Sequence, residues 1–131
     1  MRVLCVCKSG NVRSVTLARL LRKRGAEVLS CGVDKSYTTY TLRILTGWAN
    51  VIYCQKDAQA RLWELLTGDI PQDQLDHNPE VSNYYKSLRE KISTQFDVGP
   101  DDWKIPDHPD LLARMRRLVL DDPEWGESTK Q

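Results

Sequence analysis

Val3-Leu4-Cys5-Val6 is a short, unbroken apolar run that leads through a polar turn into an amphipathic segment, and this succession constrains the fold more than any other feature of the chain. A run of this kind fits a strand buried on both faces, as parallel sheets require. The polar turn is Lys8-Ser9-Gly10-Asn11. Leu17, Ala18, Leu20 and Leu21 then recur at helical spacing, with Arg19, Arg22 and Lys23 on the other side. Gly25 stands where a helix C′ residue belongs, and Val28-Leu29 begins a second short strand closed by Cys31-Gly32. Strand, helix, strand is a βαβ unit, whose crossover is right-handed and whose strands pair in parallel.

The rest of the chain continues the pattern. Asp34 to Thr39 reads as a loop, Leu42, Ile44, Leu45 and Trp48 as a short helix, and Val51-Ile52-Tyr53-Cys54 as the third strand. Ala58, Leu62, Leu65 and Leu66 mark an amphipathic helix ending near Gly68. Residues 69–80 hold two prolines and many polar groups and read as a long surface excursion. Val81, Tyr84, Tyr85, Leu88 and Ile92 predict a further helix, and Phe96-Asp97-Val98 a fourth strand. Pro109 suits the first turn of a last helix that buries Leu111, Leu112, Met115, Leu118 and Val119. A length of 131 residues supports one core. The expected fold is α/β: a three-layer sandwich with a small four-stranded parallel sheet flanked by helices and a phosphate-binding loop after the first strand. Residues 1–120 form a single domain in this reading, with 67–95 a helical insertion and 121–131 a flexible tail.

Composition excludes several classes. With 40% apolar and 28% charged residues the chain is neither low-complexity nor disordered. No apolar run is long enough for a membrane span. Val3 to Cys7 is too short for the apolar region of a secretory signal, so a cytoplasmic protein with four reduced cysteines is expected. Residues 1–50 carry a net charge of +7 and residues 51–131 a net −6. The basic half suits an anionic ligand, and the acidic half argues against a nucleic-acid-binding surface.

The chemistry concentrates where the first strand ends. Cys7, Lys8, Ser9, Gly10, Asn11, Val12, Arg13 and Ser14 give the spacing Cys-x5-Arg-Ser between a buried strand and a helix N-terminus. The backbone N–H groups of such a loop converge, and the helix dipole adds positive potential, so a tetrahedral dianion fits there. The same field favours a thiolate at Cys7. Arg13 offers a planar fork to two phosphate oxygens, and Ser14 a hydroxyl to the sulfur. A buried structural thiol would account for Cys7 alone, but not for Arg13 and Ser14 at that spacing. Cys5, Cys31 and Cys54 read instead as small core hydrophobes. No Cys-x2-Cys pair or nearby histidine suggests a metal site.

These residues resemble the low-molecular-weight protein tyrosine phosphatases, and most of all the short members of that superfamily predicted from sequence. Leu29-Ser30-Cys31-Gly32 is similar to the Ser-Ala-Gly segment after the family's second strand, and Trp48-Ala49-Asn50-Val51-Ile52 to its Trp-Ala-Asp-x-Ile stretch. Pro100-Asp101-Asp102-Trp103 and Pro109-Asp110-Leu111-Leu112 resemble Pro-Asp-Asp-Tyr followed by Pro-Glu-Leu. Gly10 stands where the family usually has Asn, and glycine takes a positive φ without steric cost. The resemblance implies hydrolysis of phosphotyrosine through a phosphocysteine at Cys7, with Arg13 clamping the phosphoryl group, residues 8–14 lining it, and no metal or other cofactor. It places the general acid after the fourth strand. Asp97, Asp101, Asp102 and Asp107 all lie there, and the Pro-Asp-Asp match favours Asp101, then Asp102. Tyr37, Tyr40 and Trp103 are candidates to flank an aromatic substrate, which would be a phosphorylated protein or a small phosphomonoester.

Three other readings use the same loop. An arsenate reductase needs two further cysteines, and none lies beyond Cys54. A phosphocysteine carrier of the sugar-transport type lacks the clamping arginine. A non-catalytic binding module needs only the phosphate loop.

Overall fold

The computed structural model describes residues 1–34, 39–100 and 103–126. Four parallel strands, β1 (Arg2–Cys7), β2 (Glu27–Gly32), β3 (Val51–Cys54) and β4 (Ile92–Ser93), form one sheet in the order β2-β1-β3-β4. The central position of β1 explains its unbroken apolar run: Val3 to Cys7 are all buried. Side chains alternate across the sheet, so Val3 and Cys5 enter one core cluster, and Leu4 and Val6 the other.

The first cluster is closed by α1 (Arg13–Arg22) through Leu17, Leu20 and Leu21, and by α6 (Pro109–Asp121) through Leu111, Met115 and Val119. The second is closed by α2 (Thr39–Trp48), α3 (Lys56–Thr67) and α5 (Pro79–Lys91), which supply Leu42, Leu62, Leu66, Tyr85 and Leu88. The result is a three-layer α/β sandwich.

Three details depart from expectation. The fourth strand is Ile92–Ser93, which pairs with Ile52 and Tyr53, and not Phe96–Val98. Phe96 and Val98 are buried beside it, but their backbone is held by a side chain. Gln55 Nε2 donates to Phe96 O at 2.9 Å, and Val98 N donates to Gln55 Oε1 at 2.9 Å. Because β3 ends at Cys54, this amide takes the place of the next ladder rung.

Within the expected surface excursion, Gln72–His77 forms a short helix, α4. Asn78 then caps α5 by accepting from Glu80 N and Val81 N, with Pro79 in the first turn. His108 caps α6, its Nδ1 accepting from Asp110 N at 3.2 Å.

The segment expected to fray from residue 121 stays on the body through Gly126. Asp122 Oδ1 accepts from Glu124 N and Trp125 N, and Trp125 is buried in the first cluster. Its Nε1 donates to the Tyr53 hydroxyl at 2.7 Å. Burial of the indole with its N–H satisfied offsets part of the entropy lost in ordering this segment.

Candidate functional site

At the carboxyl end of the sheet, Cys7 is the last residue of β1 and faces Gly32 of β2. The two segments stay together beyond the sheet, with Val33 N donating to Cys7 O at 3.0 Å and Asp34 N to Lys8 O at 2.8 Å. The loop then turns at Gly10, whose φ is +77°. A Cβ on Gly10 would stand 2.5 Å from Gly32 N, and a Cβ on Gly32 would overlap Ser9 C and Gly10 N. The two glycines interlock. No side chain fits between them, and the loop is pressed against the end of β2.

This turn aims the loop at the sulfur. Gly10 N–H donates to Cys7 Sγ at 3.1 Å, and Ser14 Oγ lies in hydrogen-bond contact with the same sulfur at 3.2 Å. Val12, at the N-cap of α1, gives no side-chain cap, and the first turn of α1 holds no acidic residue. The positive end of the helix is therefore not neutralised from within its own first turn. Cys7, Ser14 and the Gly10 amide thus meet at the end of β1. Lys8 and Asn11 are exposed, while Ser9 Oγ accepts from Asn11 N and Val12 packs into the first core cluster.

Arg13 is wholly buried. Its Nη1 donates to Gly99 O at 2.6 Å, and its Nη2 lies 3.0 Å and 3.1 Å from the two oxygens of Asp57. Asp57 was not among the expected site residues. It stands in the first turn of α3, with no spacing relation to Cys7. Adjacency of β1 and β3 opens α1 and α3 side by side at the carboxyl end of the sheet, which brings Asp57 to Arg13.

Gly99, with φ +87°, belongs to a loop stitched to the same corner. Asp97 accepts from Lys56 N at 2.7 Å and Gly99 N at 3.2 Å, so both its oxygens hold backbone. Asp107 pairs with Arg19 at 2.7 Å on the surface. Two of the four candidate acids are thereby engaged. Asp101 and Asp102 lie outside the described residues, as does Tyr37. Tyr40 is 72% exposed at the start of α2, and Trp103 packs against the first core cluster with its ring 5.0 Å from that of His108.

The other three cysteines are buried free thiols. Burial pushes the thiols of Cys31 and Cys54 up to about 12, and that of Cys5 up as well. They remain neutral and serve as packing. Among the described residues, no three His, Cys, Asp or Glu side chains are grouped to hold a metal ion, and no helix is long and apolar enough to cross a membrane.

No family model and no curated protein matches the sequence. Among solved structures, the chain is similar to the YwlE arginine phosphatase from Geobacillus stearothermophilus. That match has 16% identity, covers 89% of this chain and 84% of the other, and has a TM-score of 0.49.

Proposed function

We propose that this protein is a phosphomonoesterase of the low-molecular-weight protein tyrosine phosphatase kind, acting on phosphotyrosine in the cytoplasm through a phosphocysteine. One observation carries the reading. A cysteine sulfur at a strand end receives a loop amide at 3.1 Å and touches a serine hydroxyl at 3.2 Å, close in the chain to a buried arginine. Contacts of this kind position the sulfur for attack and later ease its departure from phosphorus.

In the proposed reaction, Cys7 attacks phosphorus, the S–P bond forms, and the bond from phosphorus to the leaving oxygen breaks. Asp101 protonates that oxygen, with Asp102 the alternative. The loop amides and Arg13 hold the equatorial oxygens. Arginine has five N–H donors. The contacts to Asp57 and Gly99 fix the plane of the guanidinium. Asp101 then takes a proton from water, which cleaves the S–P bond and releases inorganic phosphate.

The test is a burst of p-nitrophenolate from p-nitrophenyl phosphate, with trapping of phosphate on the protein. Both should vanish in Cys7→Ser, vanadate should inhibit, and EDTA should not. A wild-type protein without turnover, or activity that EDTA abolishes and zinc or magnesium restores, rejects this mechanism.

A second reading, a phosphate-loop module that binds without turnover, is favoured by the complete burial of both Cys7 and Arg13. In that case phosphate binds to wild type and to Cys7→Ser alike, and no ester is hydrolysed.

A further inference from the structure

A pocket of about 380 Å³ lies between α1 and α6, apart from the loop that holds Cys7. Leu20, Pro106 and Leu112 supply its apolar surface. Its rim is cationic, with Arg19, Arg22, Lys23 and Arg116 against a single carboxylate, Asp107. Two of these cations are engaged locally: Arg19 pairs with Asp107, and Arg22 donates to Val28 O at 2.8 Å. Lys23 and Arg116 are exposed and have no carboxylate partner among the described residues.

The pocket is coupled in position to the candidate active site. Thr16 lines it about one helical turn beyond Arg13, and its hydroxyl donates to Pro106 O at 2.8 Å. That bond fixes the wall between the two sites. Lys23 lies ten residues beyond Arg13, or roughly 15 Å along the helix axis. An extended peptide covers that span in about four to five residues.

We propose that this pocket docks an acidic segment of a phosphoprotein substrate, with one apolar side chain seated on Leu20, Pro106 and Leu112 and carboxylates facing Lys23 and Arg116. The proposal rests on the phosphatase reading for its substrate. The charge complementarity and the apolar floor that argue for the occupant stand independently. An apolar floor of this kind offers nothing to a sugar–phosphate backbone, and the acidic second half of the chain opposes one.

The experiment compares three phosphotyrosine peptides. One carries Glu residues and a Leu four to six positions from the phosphotyrosine, one has the Leu changed to Ser, and one has the Glu residues changed to Gln. Each is assayed with wild type and with Lys23→Glu/Arg116→Glu, alongside p-nitrophenyl phosphate. The double variant should raise KM for the acidic peptide about tenfold, equivalent to about 1.4 kcal/mol. It should leave kcat and p-nitrophenyl phosphate turnover unchanged and barely affect the Gln peptide. The Ser peptide should show a raised KM with wild type.

Equal KM values for the three peptides with wild type, or an unchanged KM for the acidic peptide in the double variant, overturn the docking proposal. Anisotropy of the fluorescent, unphosphorylated acidic peptide separates the two readings. Charge-dependent binding without any turnover removes the phosphatase reading and keeps the pocket. Turnover without such binding does the reverse. Unchanged thermal melting confirms that the double variant is folded.

Discussion

Arg13 is the residue on which most of the site depends, and its environment makes two predictions. Lysine keeps a positive charge at this position but not the planar fork, so Arg13→Lys should lower kcat steeply; near-wild-type kcat would show that the clamp is assigned wrongly. Asp57 is about one-third exposed, so its loss leaves a buried cation only partly rescued by water. Asp57→Ala should reduce stability by about 1–3 kcal/mol in urea unfolding and raise KM for p-nitrophenyl phosphate, while Asp57→Asn restores part of both. The general acid is tested by leaving-group dependence. Phenolate from tyrosine leaves poorly without a proton, whereas p-nitrophenolate does not need one. Asp101→Asn should therefore slow phosphotyrosine hydrolysis by about 10²–10⁴-fold with little effect on p-nitrophenyl phosphate. Asp107→Asn should do neither, because Asp107 pairs with Arg19. Selective loss in Asp102→Asn alone would move the acid by one residue.

At the scale of elements, the turn after β1 belongs as much to β2 as to β1. Gly10 and Gly32 lie back to back with no room for a Cβ on either, so the loop's shape is set by a contact between segments more than twenty residues apart. Gly32→Ala should displace Ser9 and Gly10 and pull the Gly10 amide off the Cys7 sulfur. Over-packing of this kind typically destabilises by about 1–3 kcal/mol, and kcat should fall by more than that loss of stability explains. A Gly32→Ala protein with wild-type kcat and melting temperature would show that the loop does not depend on this contact.

For the whole molecule, the first core cluster runs from β1 to the segment beyond α6. Trp125 closes it over Tyr53, whose ring meets Phe96 edge-on at 4.6 Å. Trp125→Ala should cost about 3–5 kcal/mol in thermal or urea unfolding, a loss that a frayed tail could not produce. The buried acids give the fold an alkaline limit. Burial, with help from Glu124 and Asp122, pushes the Tyr53 hydroxyl up from 10.0 to about 12. Burial likewise pushes Cys31 and Cys54 up from 9.0 to about 12. In that window the unfolded chain binds fewer protons than the folded one, so stability falls as pH rises. Below about pH 9 these groups are protonated in both states and the effect disappears. Urea midpoints should therefore decline from about pH 9 towards 12, and Tyr53→Phe should flatten the upper part of that decline.

Local pattern in the sequence determined what depends on neighbours along the chain. The apolar run of β1, the 3.6-residue spacing of α1 and α6, and the Cys-x5-Arg-Ser spacing each express one element's own geometry, and the parallel sheet and strand–loop–helix site result from them. Tertiary structure decided what depends on which elements become neighbours. Asp57 reaches Arg13 because β3 lies beside β1 in the sheet, and no spacing in the chain encodes that adjacency. Phe96 and Val98 have strand-like composition, but the side chain of Gln55 takes the hydrogen bonds that a ladder would have made, and the strand falls instead at Ile92–Ser93. Trp125 sits in a polar stretch, and only the ring and hydroxyl of Tyr53 give its indole a place to be buried with its N–H satisfied. In each case the deciding partner lies some forty or more residues away along the chain, beyond the reach of any periodicity.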